Sequence, residues 1–232
     1  MSLYDHALSA ARRTAPATQR NREPIAEVLA QFLPPDARVL EIASGTGEHA
    51  VYLSRELKVA HWWPSDRDAD ALTSIEGWRR WQHEQRSEGQ TARSSTTLHP
   101  ASLIDVSRDD PARFAAANDL PPLDALVCIN MIHIAPWEAC QGLMRWAAAL
   151  LKMGGLLYLY GPYRRDGQHT APSNAEFDAS LQGRNRTWGV RDMEAVVAEA
   201  GRHGLTLEAS VAMPANNFSL LLRKSADRVT PA

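Results

Sequence analysis

The stretch Glu41-Ile42-Ala43-Ser44-Gly45-Thr46-Gly47 sets a carboxylate just ahead of two glycines spaced Gly-x-Gly. A strand that drops into such a turn and then into a helix lets a ligand approach the backbone closely, because glycine has no side chain to obstruct it. Glu41, at the end of that strand, is placed to accept from a ribose hydroxyl or a cofactor ammonium. A second acid, Asp66, follows about 20 residues beyond the turn, where a carboxylate reaches ribose hydroxyls in dinucleotide-type folds. The plainer alternative makes the glycines a tight turn and Asp66 a cap for the helix from Asp68 onward. The strand–turn–helix context favours a cofactor site.

Spacing and charge narrow the cofactor. A dinucleotide fold wants a third small residue three positions on, and Ala50 meets that requirement. A carboxylate at Glu41 would face the pyrophosphate's own negative charge, whereas a cationic sulfonium amino acid would welcome it. The reading is therefore S-adenosylmethionine, with a nicotinamide-dependent oxidoreductase as the disfavoured alternative. Asp105, after a third strand, could receive the exocyclic amine of adenine or merely cap its turn. Asn130-Met131-Ile132-His133, after a fourth strand, falls at the carboxyl edge of the sheet, where open α/β sheets bind ligands. Asn130 and Ile132 are expected beside the cofactor. His133 is a candidate for substrate contact or general base, against the alternative of a packed, hydrogen-bonded histidine.

Positioning these residues requires an alternation of strands and helices, the pattern of a parallel sheet covered on both faces. The spacing predicts a helix from near Asn21 to Phe32, stopped by Pro34-Pro35. A strand over Arg38–Ile42 and a helix from Glu48 to Leu57 follow, then a strand from Lys58 to Trp63. A long helix is expected from Asp68 to Gln85, with Gly77 as a possible kink, and a surface loop over Ser87–Thr97. Further strands are expected at Leu98–Ile104, Leu123–Ile129 and Leu156–Tyr160, with helices at Pro111–Asn118 and Pro136–Leu151. Gly161 to Gly189 breaks the rhythm as an insert rich in Arg, Asn, Gly and Pro. Within it, Ser173 and Glu176 have capping-box spacing. A helix over Asp192–Ala200 and strands at Leu205–Ala212 and Phe218–Arg223 close the chain, with Ser225–Ala232 as a frayed tail. The expected organisation is one domain over 1–232, with an N-terminal helical segment at 1–33 and a substrate-side insert at about 161–190.

Bulk composition excludes several classes. The 232 residues carry a net charge of −2, which argues against gripping a phosphate backbone. Only Cys128 and Cys140 occur, without CxxC spacing, so neither a disulfide framework nor a zinc knuckle is expected. His169 and Cys140 form no metal-ligand spacing with His133, and no metal is expected. Ser44 and Ser173 lack a nucleophile-elbow sequence, so hydrolase chemistry has no support. No apolar run is long enough to cross a membrane. Arg12-Arg13 lacks the apolar stretch of a twin-arginine signal, and the acid-poor start has some transit-peptide character; a cytoplasmic location is expected.

Glu41 to Gly47 resembles the cofactor-binding turn of class I methyltransferases, with Ala43 in place of the usual first glycine. More specifically, the chain resembles the UPF0585 family, also called DUF938 or methyltransferase-like protein 26. The stretches that carry the resemblance are Arg20-Asn21-Arg22, Leu40 to His49, Pro64-Ser65-Asp66, Asn130 to Ile134, Tyr160-Gly161-Pro162-Tyr163, Ser173-Asn174, Phe177-Asp178, Trp188 to Asp192 and Met213 to Asn217. The resemblance implies a Rossmann-like, doubly wound α/β fold of seven strands, the last antiparallel. It also implies that Arg22 and His49 join Glu41, Ala43, Gly45, Gly47 and Asp66 at the cofactor.

On the substrate side the candidates are His133, Tyr160, Tyr163, Asn174, Asp178, Trp188, Arg191 and Asn217, which should overhang the strand ends. Aromatic faces there could shield a methyl sulfonium by cation–π contact, or simply pack the insert. Arg191 could receive an anionic substrate, while the other insert arginines read as a solvated face. If the acceptor must lose a proton, His133 and Asp178 are the candidate catalytic bases. The expected function is S-adenosylmethionine-dependent methyl transfer to a small molecule by a monomer or homodimer, without nucleic-acid or membrane partners. A non-catalytic, cofactor-binding or regulatory protein of the same fold is the main alternative.

Overall fold

The computed structural model describes residues 11–87 and 96–225. The extreme N-terminus, most of the expected 87–97 loop and nearly all of the expected frayed tail lie outside the described residues. Two compact units divide between Ile104 and Asp105.

The first unit opens with helix α1 (Pro16–Phe32), which begins earlier than the sequence pattern suggests. Pro16 starts it, since a proline at the first helical position loses only an N–H that would be orphaned anyway. Ile25 and Leu29 are fully buried on its inner face, each burial worth about 1.5–3 kcal/mol. Strand β1 (Ala37–Ile42) follows, then helix α2 (Glu48–Glu56), strand β2 (Val59–Asp66) and helix α3 (Ala69–Ser87), which continues through Gly77. β1 and β2 are parallel, with Leu40 opposite Trp63 and Glu41 opposite Pro64.

The expected third strand is broken into β3 (Thr97–Leu98) and β4 (Ser102–Leu103), both parallel to β2. The cause lies between them. Pro100 has no N–H for the ladder, and the Ala101 N–H turns away to Glu76 Oε1 at 2.6 Å. The sheet order here is β3–β2–β1.

The second unit begins with α4 (Pro111–Ala117), capped by Asp110, whose side chain accepts from the Arg113 N–H. Strand β5 (Leu123–Ile129) is buried along its whole length and ends in a 3-10 turn, Met131–His133. Helix α5 (Trp137–Leu150) leads into β6 (Leu151–Arg165), much longer than the expected Leu156–Tyr160. The extension pairs with two short insert strands, β7 (Gln168–His169) and β8 (Arg191–Asp192). Between them runs α6 (Pro172–Arg184). The expected capping box at Ser173 and Glu176 does not form: Ala171 is the cap residue and makes no side-chain bond.

Helix α7 (Met193–Arg202) and strands β9 (Leu205–Met213) and β10 (Asn217–Lys224) complete the chain. The order in this unit is β5–β6–β10–β9, with β5 parallel to β6 and the last strand, β10, antiparallel to both neighbours. The fold is α/β, with a mostly parallel sheet closed by antiparallel strands.

Candidate functional site

In the first unit, the turn after β1 is tied to the end of β2 by four hydrogen bonds. The Ser44 N–H donates to Ser65 O at 2.8 Å, and the Ser65 N–H returns to Ser44 Oγ at 3.2 Å. Ser65 Oγ donates to Glu41 O at 2.7 Å, and the Gly45 N–H donates to Asp66 Oδ2 at 2.9 Å. Asp66 also receives the Asp68 N–H on Oδ1 at 3.0 Å, and Asp68 in turn caps the next helix by accepting the Asp70 N–H at 3.1 Å. Each carboxylate oxygen of Asp66 keeps a further lone pair.

The two glycines do different work. A Cβ on Gly47 would come within 2.8 Å of Ile75 Cα, so this glycine lets α2 pack against α3. A Cβ on Gly45 would meet nothing within 4 Å among the described residues, so they leave room at the turn beside Gly45. Ala43 also holds a left-handed φ of 59°, a conformation that strains any residue with a Cβ.

Glu41 is almost fully buried. Trp62 Nε1 donates to its Oε2 at 3.0 Å. Burial raises its pKa from 4.5 to about 7, the hydrogen bonds from Trp62 and Ser44 offset part of that rise, and Asp66 adds to it. A carboxyl poised near neutrality beneath an open glycine turn is suited to a cationic group that would complete its ionisation.

His49 and Arg22 flank the start of α2. His49 Nε2 lies 2.8 Å from Asn21 Oδ1, and burial, with the nearby Arg22 charge, lowers the histidine's pKa to about 4. Arg22 stacks over Tyr52 at 4.7 Å, and its Nε is buried without a partner among the described residues. The sequence pattern did not single out residues 12–15, which run across the same turn. The Ala15 N–H donates to Glu48 Oε2 at 2.6 Å, and the Arg13 N–H to Ser74 Oγ at 2.9 Å. Ser74 Oγ donates in turn to Thr46 O at 2.7 Å, and Trp78 Nε1 to Arg13 O at 2.9 Å. The acid in the first turn of α2, Glu48, was the one signal that could have marked this attachment.

In the second unit, the loop after β5 is locked from within. Asn130 takes a left-handed φ of 64° and donates its N–H to Tyr160 O at 2.7 Å. His133 is fully buried; its Nδ1 accepts the Arg191 N–H at 3.3 Å, and its carbonyl accepts the Gly189 N–H at 2.9 Å. A Cβ on Gly161 would lie 2.5 Å from His133 Nε2, so that glycine is the seat of the ring. Tyr163 meets the imidazole edge-on at 5.0 Å, fully buried, with its hydroxyl unpartnered among the described residues. Burial, then the Arg191 charge, drives the His133 pKa down to about 3. Nδ1 of the ring is thus occupied, while its Nε2 is buried without a partner among the described residues.

Asp178 is engaged similarly. Its Oδ1 accepts the Val190 N–H at 2.7 Å, and its Oδ2 accepts from Gln182 Nε2 at 3.1 Å, with His169 Nε2 at 3.3 Å. A Cβ on Gly189 would lie 2.7 Å from that Oδ1. Arg191, expected to receive an anion, spends its guanidinium on backbone. Nε donates to Ile132 O at 3.0 Å, and Nη2 to Ala135 O and Thr187 O at 2.7 and 2.9 Å. It clamps the Ile132–Ala135 turn to the end of the insert.

Asn174 and Asn217 serve the last hairpin. Asn174 Nδ2 donates to Asn216 O and Thr170 Oγ1, each at 3.0 Å, and Asn217 Nδ2 to Pro214 O at 3.1 Å. Tyr160 is buried within β6 opposite Ile129 and Ser219. Trp188 is half-buried, with the Arg184 guanidinium 6.0 Å from its ring. Asp105 accepts from the Ser107 N–H and hydroxyl, so it serves its own turn as the capping alternative requires. Ile132 is buried, and Asn130 is only partly so.

Thus Arg22, Glu41, Ala43, Gly45, Gly47, His49 and Asp66 all lie on the elements around one turn of the first unit. The sequence-proposed acceptor-side residues of the second unit are largely spent on holding its loops.

Fold comparison identifies the class. Human N-acetylserotonin methyltransferase in complex with SAM superposes with a TM-score of 0.65 at 14% identity, over 96% of this chain and 55% of that one. An O-methyltransferase family protein from Burkholderia thailandensis gives 0.64 at 18% identity, over 95% and 59%. Magnesium protoporphyrin IX methyltransferase from Synechocystis, with bound SAH, gives 0.59 at 12% identity, over 97% and 89%. The chain spans a little over half the length of the first two. Its fold is the Rossmann-like fold of class I methyltransferases. The chain belongs to the family described as "Protein of unknown function (DUF938)", whose model matches residues 12–224.

Proposed function

We propose that this chain is an S-adenosylmethionine-dependent methyltransferase acting on a small molecule, with the cofactor held at the Ala43–Gly47 turn. One observation carries the reading: a buried Glu41 carboxyl with a pKa raised to about 7, beside a glycine turn that Asp66 shapes and where, among the described residues, nothing crowds Gly45. Glu41 receives the cofactor's ammonium, Asp66 the ribose hydroxyls, and Gly45 admits the chain between them. When bound, the cofactor supplies a methyl carbon activated by its sulfonium for in-line displacement. The protein's task is chiefly to align the acceptor, an effect worth up to about 7–11 kcal/mol in favourable systems. The net charge of −2 supports a small acceptor over nucleic acid. Cys128 and Cys140, both buried and neither in a disulfide, support a cytoplasmic setting. Among the described residues no helix is long and apolar enough to cross a membrane.

The engagement of His133 and Asp178 favours an acceptor that needs no proton removed by either. The same observation supports a second reading, a cofactor-binding protein without transferase activity.

Calorimetric titration with S-adenosylmethionine, S-adenosylhomocysteine and NADH tests the cofactor. Binding of the first two, lost in Asp66→Ala and Gly45→Arg, is expected. Binding of NADH alone would instead favour an oxidoreductase. Tritiated-methyl transfer into a pool of small metabolites then separates the enzyme from the silent binder.

A further inference from the structure

We propose that His61 and His99 form a site for one exchangeable divalent transition-metal ion, copper(II) above all, at the β2–β3 edge of the first unit. This site is independent of the methyltransferase reading and shares no residue with the turn after β1.

His61 lies in β2 opposite Thr97 of β3, and the His99 N–H donates to Trp62 O at 2.9 Å. The sheet ladder therefore fixes the backbone under both rings. His61 Nδ1 and His99 Nε2 stand 3.0 Å apart. Two nitrogens each about 2.0–2.1 Å from a metal and at right angles on it are about 2.8–3.0 Å apart, whereas a tetrahedral angle opens them to about 3.3–3.4 Å. The observed separation fits adjacent corners of a tetragonal site, the geometry copper(II) prefers with nitrogen and oxygen ligands.

An indole ring braces both imidazoles. Trp63 stacks on His99 at 4.3 Å with 12° between the planes, and on His61 at 5.2 Å and 28°. The Arg79 guanidinium is near enough to act on the charge of His99. Arg79 is itself paired with Glu76 at 2.8 Å, which offsets its repulsion of a cation. Both histidines are half-buried, so solvent reaches them. Among the described residues no third His, Cys, Asp or Glu joins them, so water completes the coordination and the ion exchanges. The proton now lying between the two nitrogens moves to the far nitrogen of its own ring, so both imidazoles bind in the neutral form and no net proton is released.

Copper(II) is titrated into the metal-free, full-length protein by calorimetry with glycine as a weak competitor, and the one-equivalent complex is examined by electron paramagnetic resonance. One tight equivalent with superhyperfine coupling from two imidazole nitrogens is expected. His61→Ala and His99→Ala should each weaken binding at least about tenfold, the smaller loss seen on removing even an outer-shell partner. His83→Ala should not. Copper should also quench tryptophan emission, by a smaller fraction in Trp63→Phe. Unchanged unfolding midpoints for the metal-free variants separate ligand loss from misfolding. Equal affinity in wild type and both alanine variants, or a signal with fewer than two nitrogens, would overturn the site.

Discussion

Glu41 should make cofactor binding depend on pH in a direction the structure fixes. Its carboxyl is buried, bonded to Trp62 Nε1 at 3.0 Å, and its pKa is raised from 4.5 to about 7. If the cofactor's ammonium binds only the ionised form, about one molecule in eleven is competent at pH 6 and about ten in eleven at pH 8. Apparent affinity should therefore rise about tenfold across that interval, or about 1.4 kcal/mol. Glu41→Gln keeps the shape and an acceptor for Trp62 but never ionises. It should flatten the pH profile and weaken binding by about 1.5–3 kcal/mol, the worth of a hydrogen bond to a charged group. The same variant should raise the melting temperature of the free protein at pH 8, since a folded-state pKa above the unfolded one means that ionisation costs stability above pH 4.5. Calorimetry with S-adenosylhomocysteine at pH 6, 7 and 8, with a thermal melt at each, reads all three effects. A wild-type affinity that stays flat from pH 6 to 8, or a Glu41→Gln profile that keeps the wild-type slope, would refute the reasoning.

Three further outcomes follow from the same geometry. Ala43→Gly relieves a φ of 59° and should stabilise the protein by about 1 kcal/mol, a melting rise of about 2–4 °C; a fall would show that the strain is not in the backbone. Gly161→Ala would set a Cβ 2.5 Å from His133 Nε2 and should cost about 1–3 kcal/mol in urea unfolding. Adding His133→Ala should lose less than the sum of the single variants, and strict additivity would place the clash elsewhere. His133 and His49 have folded pKa values of about 3 and about 4 against 6.5 unfolded, so the unfolded chain takes up more protons as pH falls below 6.5. Their stability is fully present above that pH and is lost on acidification, while Glu41 opposes them between pH 7 and 4.5. The net is about one proton, or about 1.4 kcal/mol per unit between pH 6 and 5. Urea midpoints that hold steady over that interval would count against a buried neutral pair.

The sequence by itself determined the α/β alternation, the turn between β1 and α2, and the pairing of Glu41 with a second acid at Asp66. These are legible because they are local: a strand, a glycine turn and a helix are written in contiguous residues, and an acid at the next strand end follows from the period of the fold. It did not reveal that Pro100 divides the third strand, although that cause is local too and the missing N–H was there to be read.

Only the tertiary structure decided how the polar groups are spent. His133 looked like a base because it ends a strand. Its role is set by Gly161, Gly189 and Arg191, which no spacing rule connects to it. Asp178 and Arg191 were expected among the residues that overhang the strand ends, and the fold brings backbone N–H groups and carbonyls within about 3 Å of both. A buried donor or acceptor left unpaired costs about 1–3 kcal/mol, so whichever distant partner the fold delivers will take the group, and the sequence carries no record of which one arrives.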